Sequence, residues 1–254
     1  MMMQMIRDPH RRTSPATVRA VFLAACLLAS LLAPPLGLAQ GAVAGSGPRA
    51  AAFSMYLPLV IRWGVGILPN HSWYVNSSGS LWIVGEVQND TPDRLELVAV
   101  TANVYNGSGG LLADGTGYTD LDHLDPGDKT CFDILIGAEP ENWATYEFEP
   151  LDYYTTTEPS PVITVLSDSG AYNDSYGWYS VWGQVRNDHG SRLEDVKVVG
   201  SVYTSSGRIV GCQNGYADPL DLDPGQVASV SMTFVGRDYR DVLSYRLQAD
   251  GTQP

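Results

Sequence analysis

Val84–Gly127 reads VGEVQNDTPDRLELVAVTANVYNGSGGLLADGTGYTDLDHLDPG, and Trp182–Gly225 reads WGQVRNDHGSRLEDVKVVGSVYTSSGRIVGCQNGYADPLDLDPG. The two stretches align without a gap at a constant offset of 98, and 20 of the 43 positions from Gly85 to Gly127 are identical. Self-similarity of that density marks a duplicated unit. The matches carry physical meaning. Val98, Val100, Ala102 and Val104 alternate with less apolar residues, and Val196, Val198, Gly200 and Val202 repeat the pattern. Period-two alternation predicts a half-buried strand in each copy. Asn89-Asp90 and Asn187-Asp188 end an earlier strand, where such side chains bond local backbone and start turns. Leu124-Asp125-Pro126-Gly127 recurs as Leu222-Asp223-Pro224-Gly225. Proline presets φ at the second turn position and glycine accepts positive φ at the third, which predicts a type II turn.

Outward from these cores, turns at Gly109 and Gly207 lead into the short apolar runs Leu111-Leu112 and Ile209-Val210. Strands are expected at 129–136 and 227–234, and a last strand carries Tyr146 or Tyr245. Weaker strands precede the copies around 65–75 and 162–168. Short strands at regular spacing with Gly/Pro turns predict sandwiches. The fold class is therefore all-β, with two tandem immunoglobulin- or fibronectin-like β-sandwich domains after an N-terminal signal peptide. The expected boundaries are a leader over 1–39, a tether with a first strand segment over 40–62, repeat 1 over 63–151, a semi-extended linker over 152–161 and repeat 2 over 162–251.

The leader reading rests on four arginines before Ala20, then about 14 apolar or small residues, then Gly37-Leu38-Ala39 as a small-x-small end. The apolar run is short for a membrane span, which needs roughly 20 residues. Arg11-Arg12 suggests a twin-arginine route only with poorly fitting flanks, and Cys26 reads as a cysteine inside the apolar run rather than a lipidation site. The segment Tyr56–Arg62 is similar to one at the mature start of many exported proteins of one bacterial phylum. A first edge strand is the plainer reading, and Pro58 suits an edge.

The formal net charge is −13, and removing the leader's four arginines and one aspartate leaves 11 basic against 27 acidic groups. Phosphate backbones and anionic membrane surfaces both demand cationic clusters. Nucleic acid is thus excluded as an expected partner, and membrane contact is expected only through an uncleaved leader. An unknown envelope protein or polymer remains, with a monomer as the default state and a secreted or extracytoplasmic location.

The order of features resembles the bacterial and archaeal FxLYD domain, with its early G-x-V-x-N strand, a strand ending in the named motif, a Gly turn, an L-x-P-G turn and a final Tyr strand. The named motif falls on Ala102-Asn103-Val104-Tyr105-Asn106 and on Gly200-Ser201-Val202-Tyr203-Thr204. The tyrosine is kept; Phe, Leu and Asp are replaced. The resemblance implies an immunoglobulin-like sandwich in envelope or secreted proteins, with no established activity and no site residues.

Chemistry-bearing residues are sparse. His10, His71, His123 and His189 lie outside metal-ligand spacing and read as surface turn residues. No G-x-S-x-G or phosphate-cradling glycine loop occurs. No catalytic residues and no cofactor are expected. Asp120, Asp122, Asp125 and Asp128, partly matched by Asp218, Asp221 and Asp223, are weak calcium candidates; solvated turn residues is the favoured reading. Tyr172, Tyr176, Trp178 and Tyr179 could offer flat rings to sugars, but core or edge packing is favoured, and Trp182 sits where Val84 does. Cys131 and Cys212 lie at non-equivalent places in different copies. Thiols often pair in an oxidising compartment, yet two buried free cysteines is the favoured reading over a bridge between the domains. The expected function is a non-catalytic exported module that binds protein or polymer or acts as a spacer; the alternative is a carbohydrate-binding protein using exposed aromatics.

Overall fold

The structure is a computed structural model that describes residues 64–254. The leader, the tether, Cys26, His10 and the Tyr56–Arg62 segment lie outside the described residues. Within 64–254 the chain is all-β and contains no helix.

Repeat 1 is two antiparallel sheets face to face. The first sheet holds β1 (Val65–Ile67), β2 (Ser72–Val75), β3 (Ser80–Asn89) and β7 (Lys129–Ala138), with β3 at its centre. The second holds β4 (Arg94–Asn106), β5 (Leu111–Tyr118), β6 (His123–Leu124), β8 (Trp143–Phe148) and β9 (Asp152–Thr156), all paired to β4. Alternate residues of the two sheets meet between them: Leu81, Ile83, Val87, Phe132 and Ile134 from one, and Val98, Val100, Ala102 and Val104 from the other. Repeat 2 pairs β10 (Ile163–Asn173), β11 (Trp178–Asn187) and β14 (Val227–Phe234) against β13 (Ile209–Tyr216), β12 (Glu194–Thr204) and β15 (Val242–Thr252). Its core draws on Val181, Val185, Val198, Val202, Val230, Met232 and Phe234. Area burial of this kind supplies most of the folding free energy.

The repeated signatures have repeated jobs. Asn89 is fully buried; its Nδ2 donates to the carbonyls of Asp93 at 2.8 Å and Leu124 at 2.9 Å, and its Oδ1 accepts from the Thr91 amide. Asn187 does the same with Ser191, Leu222 and the His189 amide. Each asparagine thus ties the exit of the central strand to the L-D-P-G turn. In those turns Gly127 and Gly225 have φ of 83° and 77°, and the amides of Asp128 and Gln226 close on Asp125 and Asp223. Leu97 and Asp195, equivalent positions at a bulge in β4 and β12, both have φ of 51°.

Two expectations are corrected. The linker assigned to 152–161 begins with a strand of repeat 1, because β9 pairs Thr156 with Arg94 and Thr155 with Leu95. The tract DYYTTT is β-branched and aromatic, and Tyr153 packs on the core. In repeat 2 the unbroken β15 fills the places of both β8 and β9 along the central strand. Second, β12 is not half-buried. Val199 and Ser201, which alternate with its core residues, are 1% exposed. The outer face of β12 and β13 lies against repeat 1.

That joint is asymmetric. The outer face of β3 and β7 in repeat 1 (Val84, Cys131) meets the outer face of β12 and β13 in repeat 2 (Val199, Ile209, Cys212), with Leu121, Tyr74 and Tyr203 around them. Backbone joins in, since the Ile209 amide donates to the Asn70 carbonyl at 3.0 Å and the Ser72 hydroxyl donates to the Ile209 carbonyl.

Candidate functional site

The chemistry of the joint is built from one buried carboxylate and one covalent link. Glu86 stands on β3, on the face opposite the core residue Val87, and is fully buried. Lys129 and Asn70 of repeat 1 donate to it at 2.8 and 2.6 Å, the Tyr203 hydroxyl of repeat 2 donates at 2.8 Å, and the Arg246 guanidinium lies 3.9 Å away. Burial and the adjacent Glu86 carboxylate push the Tyr203 phenol far above its ordinary value. A buried charge survives only when paired and fully hydrogen-bonded, and here half of the partners come from the other repeat.

Cys131 and Cys212 are bonded, with their Cα atoms 5.7 Å apart. This replaces the favoured reading of two free cysteines. The offset of 98 hid it: Ser229 and Asp114 occupy the equivalent positions, so the pair belongs to the joint and not to either copy. Asp120 Oδ2 lies 3.1 Å from the Cys212 sulfur, and Asn214 donates to Asp120 Oδ1 at 3.3 Å. Since neither sulfur carries a proton, the first contact is van der Waals in character, and burial raises the Asp120 carboxyl. Asp120 with the two cysteines forms a close acid and sulfur group, but the disulfide takes both sulfurs out of metal-binding form.

The calcium candidates do not converge. Asp120 faces the disulfide, Asp122 pairs with Lys197 at 2.7 Å and Asp125 pairs with Arg94 at 3.1 Å. Asp128 is exposed at its turn. Asp221 and Asp223 pair with Arg192. Two histidines depart from the surface-turn reading, while His189 sits in the turn after β11 as expected. His123 is 11% exposed and its Nδ1 lies 3.0 Å from Asp250, which, with Lys197–Asp122 and Arg94–Asp250, adds to the polar contacts across the joint. His71 is half-buried with Nδ1 at 2.6 Å from the Tyr146 hydroxyl.

The aromatic candidates split by strand register. Tyr172 and Tyr179 are opposite each other on β10 and β11 and face inward; Tyr179 is buried in the core and Tyr172 packs on it. Tyr176 and Trp178 face outward, stacked at 4.7 Å between centroids and 23° between planes. They border a cleft of about 520 Å³ that also includes Asp174, Arg237 and Arg240. Arg240 sits over the Tyr172 ring at 5.9 Å, and the Tyr172 hydroxyl donates to Asp238 at 2.8 Å.

A second exposed aromatic face escaped the sequence reading. By register, Ser169, Trp182 and Ser231 form one rung across β10, β11 and β14, and Ser167, Gln184 and Ser229 form the next. All six are exposed on the outer face, and with Tyr216, Asp168 and Asp218 they bound a groove of about 530 Å³. The pattern was present, because Trp182 lies on the face alternate to the core residues Val181 and Val185, but a tryptophan at the place of Val84 reads as core until the partner sheet is known.

No protein-family model matches the chain, and a search of curated proteins returns no match. Among solved structures, the chain is similar to an exo-chitosanase of Amycolatopsis orientalis (12% identity, 74% of this chain, 25% of that one, TM-score 0.25). It is also similar to a Bacteroides uniformis β-glucuronidase (11%, 68% and 26%, TM-score 0.19) and to red sea bream transglutaminase (7%, 74% and 29%, TM-score 0.23). The chain thus spans about a quarter of the length of the structures it matches. Likeness at this level carries no argument about activity.

Proposed function

We propose that the protein is a non-catalytic exported module whose two sandwiches act as one stiff body, presenting a surface to an envelope protein or polymer and setting its distance from the cell. The observation that carries this reading is the joint, where Cys131–Cys212, the Glu86 cluster and His123–Asp250 bind repeat to repeat. A disulfide that links two domains suits an oxidising compartment, in keeping with the leader. The resemblance to FxLYD domains fits the same setting. Cell fractionation with thiol trapping tests it. The bridge should be oxidised and the protein extracytoplasmic; a cytoplasmic protein with reduced cysteines overturns the proposal, as does turnover in a panel of glycoside, ester and peptide substrates.

A second reading is favoured by the Tyr176–Trp178 stack. Two exposed rings beside carboxylates and arginines are suited to sugar, whose pyranose faces are apolar and whose rims are hydroxyls. On this reading, Trp178→Ala abolishes retention on a soluble polysaccharide.

A further inference from the structure

The repeat relation assigns a counterpart to every residue of the joint. The face of repeat 1 that receives repeat 2 is centred on the rung Ser72–Val84–Asp133 and on Glu86 beside Cys131. Its counterpart in repeat 2 is the rung Ser169–Trp182–Ser231 and Gln184 beside Ser229. The same surface has been rebuilt. Val84, 1% exposed, becomes Trp182, 47% exposed. Glu86 becomes Gln184, Lys129 becomes Val227, and Cys131 and Asp133 become serines. The ion pair, the disulfide and the small apolar contact needed to seat another sandwich have all been removed.

What replaces them is not the pattern of a face turned only to solvent. The other uncovered sheet face among the described residues, on β4 and β5, carries Thr101, Asn103, Asp114 and Thr116 at its centre, with the threonine hydroxyls 2.8 Å apart, and shares with repeat 2 only the exposed marginal ring, Tyr118 in place of Tyr216. The repeat 2 face instead sets one large ring among hydroxyls and an amide. Tyr216 adds a second ring at the border, 55% exposed, and Asp168 and Asp218 add acceptors. Rings flanked by neutral donors and acceptors match a pyranose, which stacks by its C–H face and hydrogen-bonds around its edge. The groove's size lies in the range of small-ligand sites. Its charged border is acidic, so a uronate polymer is repelled and a neutral one admitted. Trp178 begins the same strand four residues earlier, on the same face by alternation, about 13 Å from Trp182. Two rings at that spacing fit a chain of linked sugars better than a monosaccharide.

We propose that the outer face of β10, β11 and β14 is a binding groove for a neutral polysaccharide, with Trp182 as its central platform. This rests on the second reading above for ligand class and extends that site along β11 to Trp182. Affinity electrophoresis of the purified protein in gels containing hydroxyethylcellulose, xylan, laminarin or polygalacturonate tests it. At least one neutral polymer should retard the protein and polygalacturonate should not. Trp182→Val installs the residue of the first copy, which that sandwich accommodates, and should weaken retardation at least about tenfold; Trp182→Tyr should keep most of it. Retardation lost with Trp178→Ala but kept with Trp182→Val overturns the groove and leaves the second reading standing. No retardation by any neutral polymer overturns both. Sedimentation of a dimer that Trp182→Val dissociates assigns the face to a second copy and overturns the proposal.

Discussion

Asn89 and Asn187 each replace a missing backbone partner at a place where two chain segments cross. Truncating either to alanine removes two donor bonds, to the carbonyls of Asp93 and Leu124 or of Ser191 and Leu222, and strands the Thr91 or His189 amide, at a side chain that is fully buried. We expect Asn89→Ala and Asn187→Ala each to cost about 2 kcal/mol, measured by urea unfolding, whereas Asn103→Ala on the open face should cost little. Single groups also set the pH response. Burial, reinforced by Asp120, raises the Asp133 carboxyl to about 6. The folded state therefore holds that proton more tightly than the unfolded chain, and stability falls as pH rises from about 4 to 6, by an amount of the order of 2 kcal/mol. The hydrogen bond with Asp250 raises His123, against the opposing effect of its burial. Its contribution is fully present below pH 6.5 and is lost as pH rises through the folded value. Both slopes have one sign, and His71, lowered by burial, opposes them below pH 6.5, so with His71 replaced by glutamine the melting temperature should be higher at pH 5.5 than at pH 8. Asp133→Asn should flatten the lower part of that profile and His123→Gln the upper part; a melting temperature that rises with pH contradicts the assignment.

At the scale of strands, the copies were legible because period-two alternation and the L-D-P-G turn are local properties, written twice. The faces of those strands were not. Leu111 and Ile209 are equivalent in sequence, yet one is 58% exposed and the other fully buried. Only the neighbour differs. The same reason hid Cys131–Cys212, Glu86 and the role of Trp182, since each depends on which sheet lies opposite. The disulfide closes a loop of 81 residues, and removing it frees the unfolded chain. Cys131→Ser with Cys212→Ser should lower stability by about 4 kcal/mol. Loss should appear first as separation of the repeats, seen as faster amide exchange at Ile209, whose donor bond to Asn70 crosses the joint.

For the whole molecule, the joint predicts a fixed separation between the sandwiches. Spin labels at Ser108 and Ser175 should give one narrow distance distribution, unchanged by 1 M salt while the disulfide is intact, because Val84, Val199 and Ile209 hold the faces together without charge. A broad distribution contradicts the stiff body. The joint also matches two unlike faces, as bricks laid in one direction rather than mirror halves. Contacts of that kind have no built-in end and would extend into a filament if both free faces kept their complementary residues. Threonine, asparagine and aspartate at the leading face, and tryptophan with serines at the trailing one, stand where the joint has its apolar and charged partners. Repair of those few positions to the residues of the opposite copy would turn a finished pair into a growing fibre.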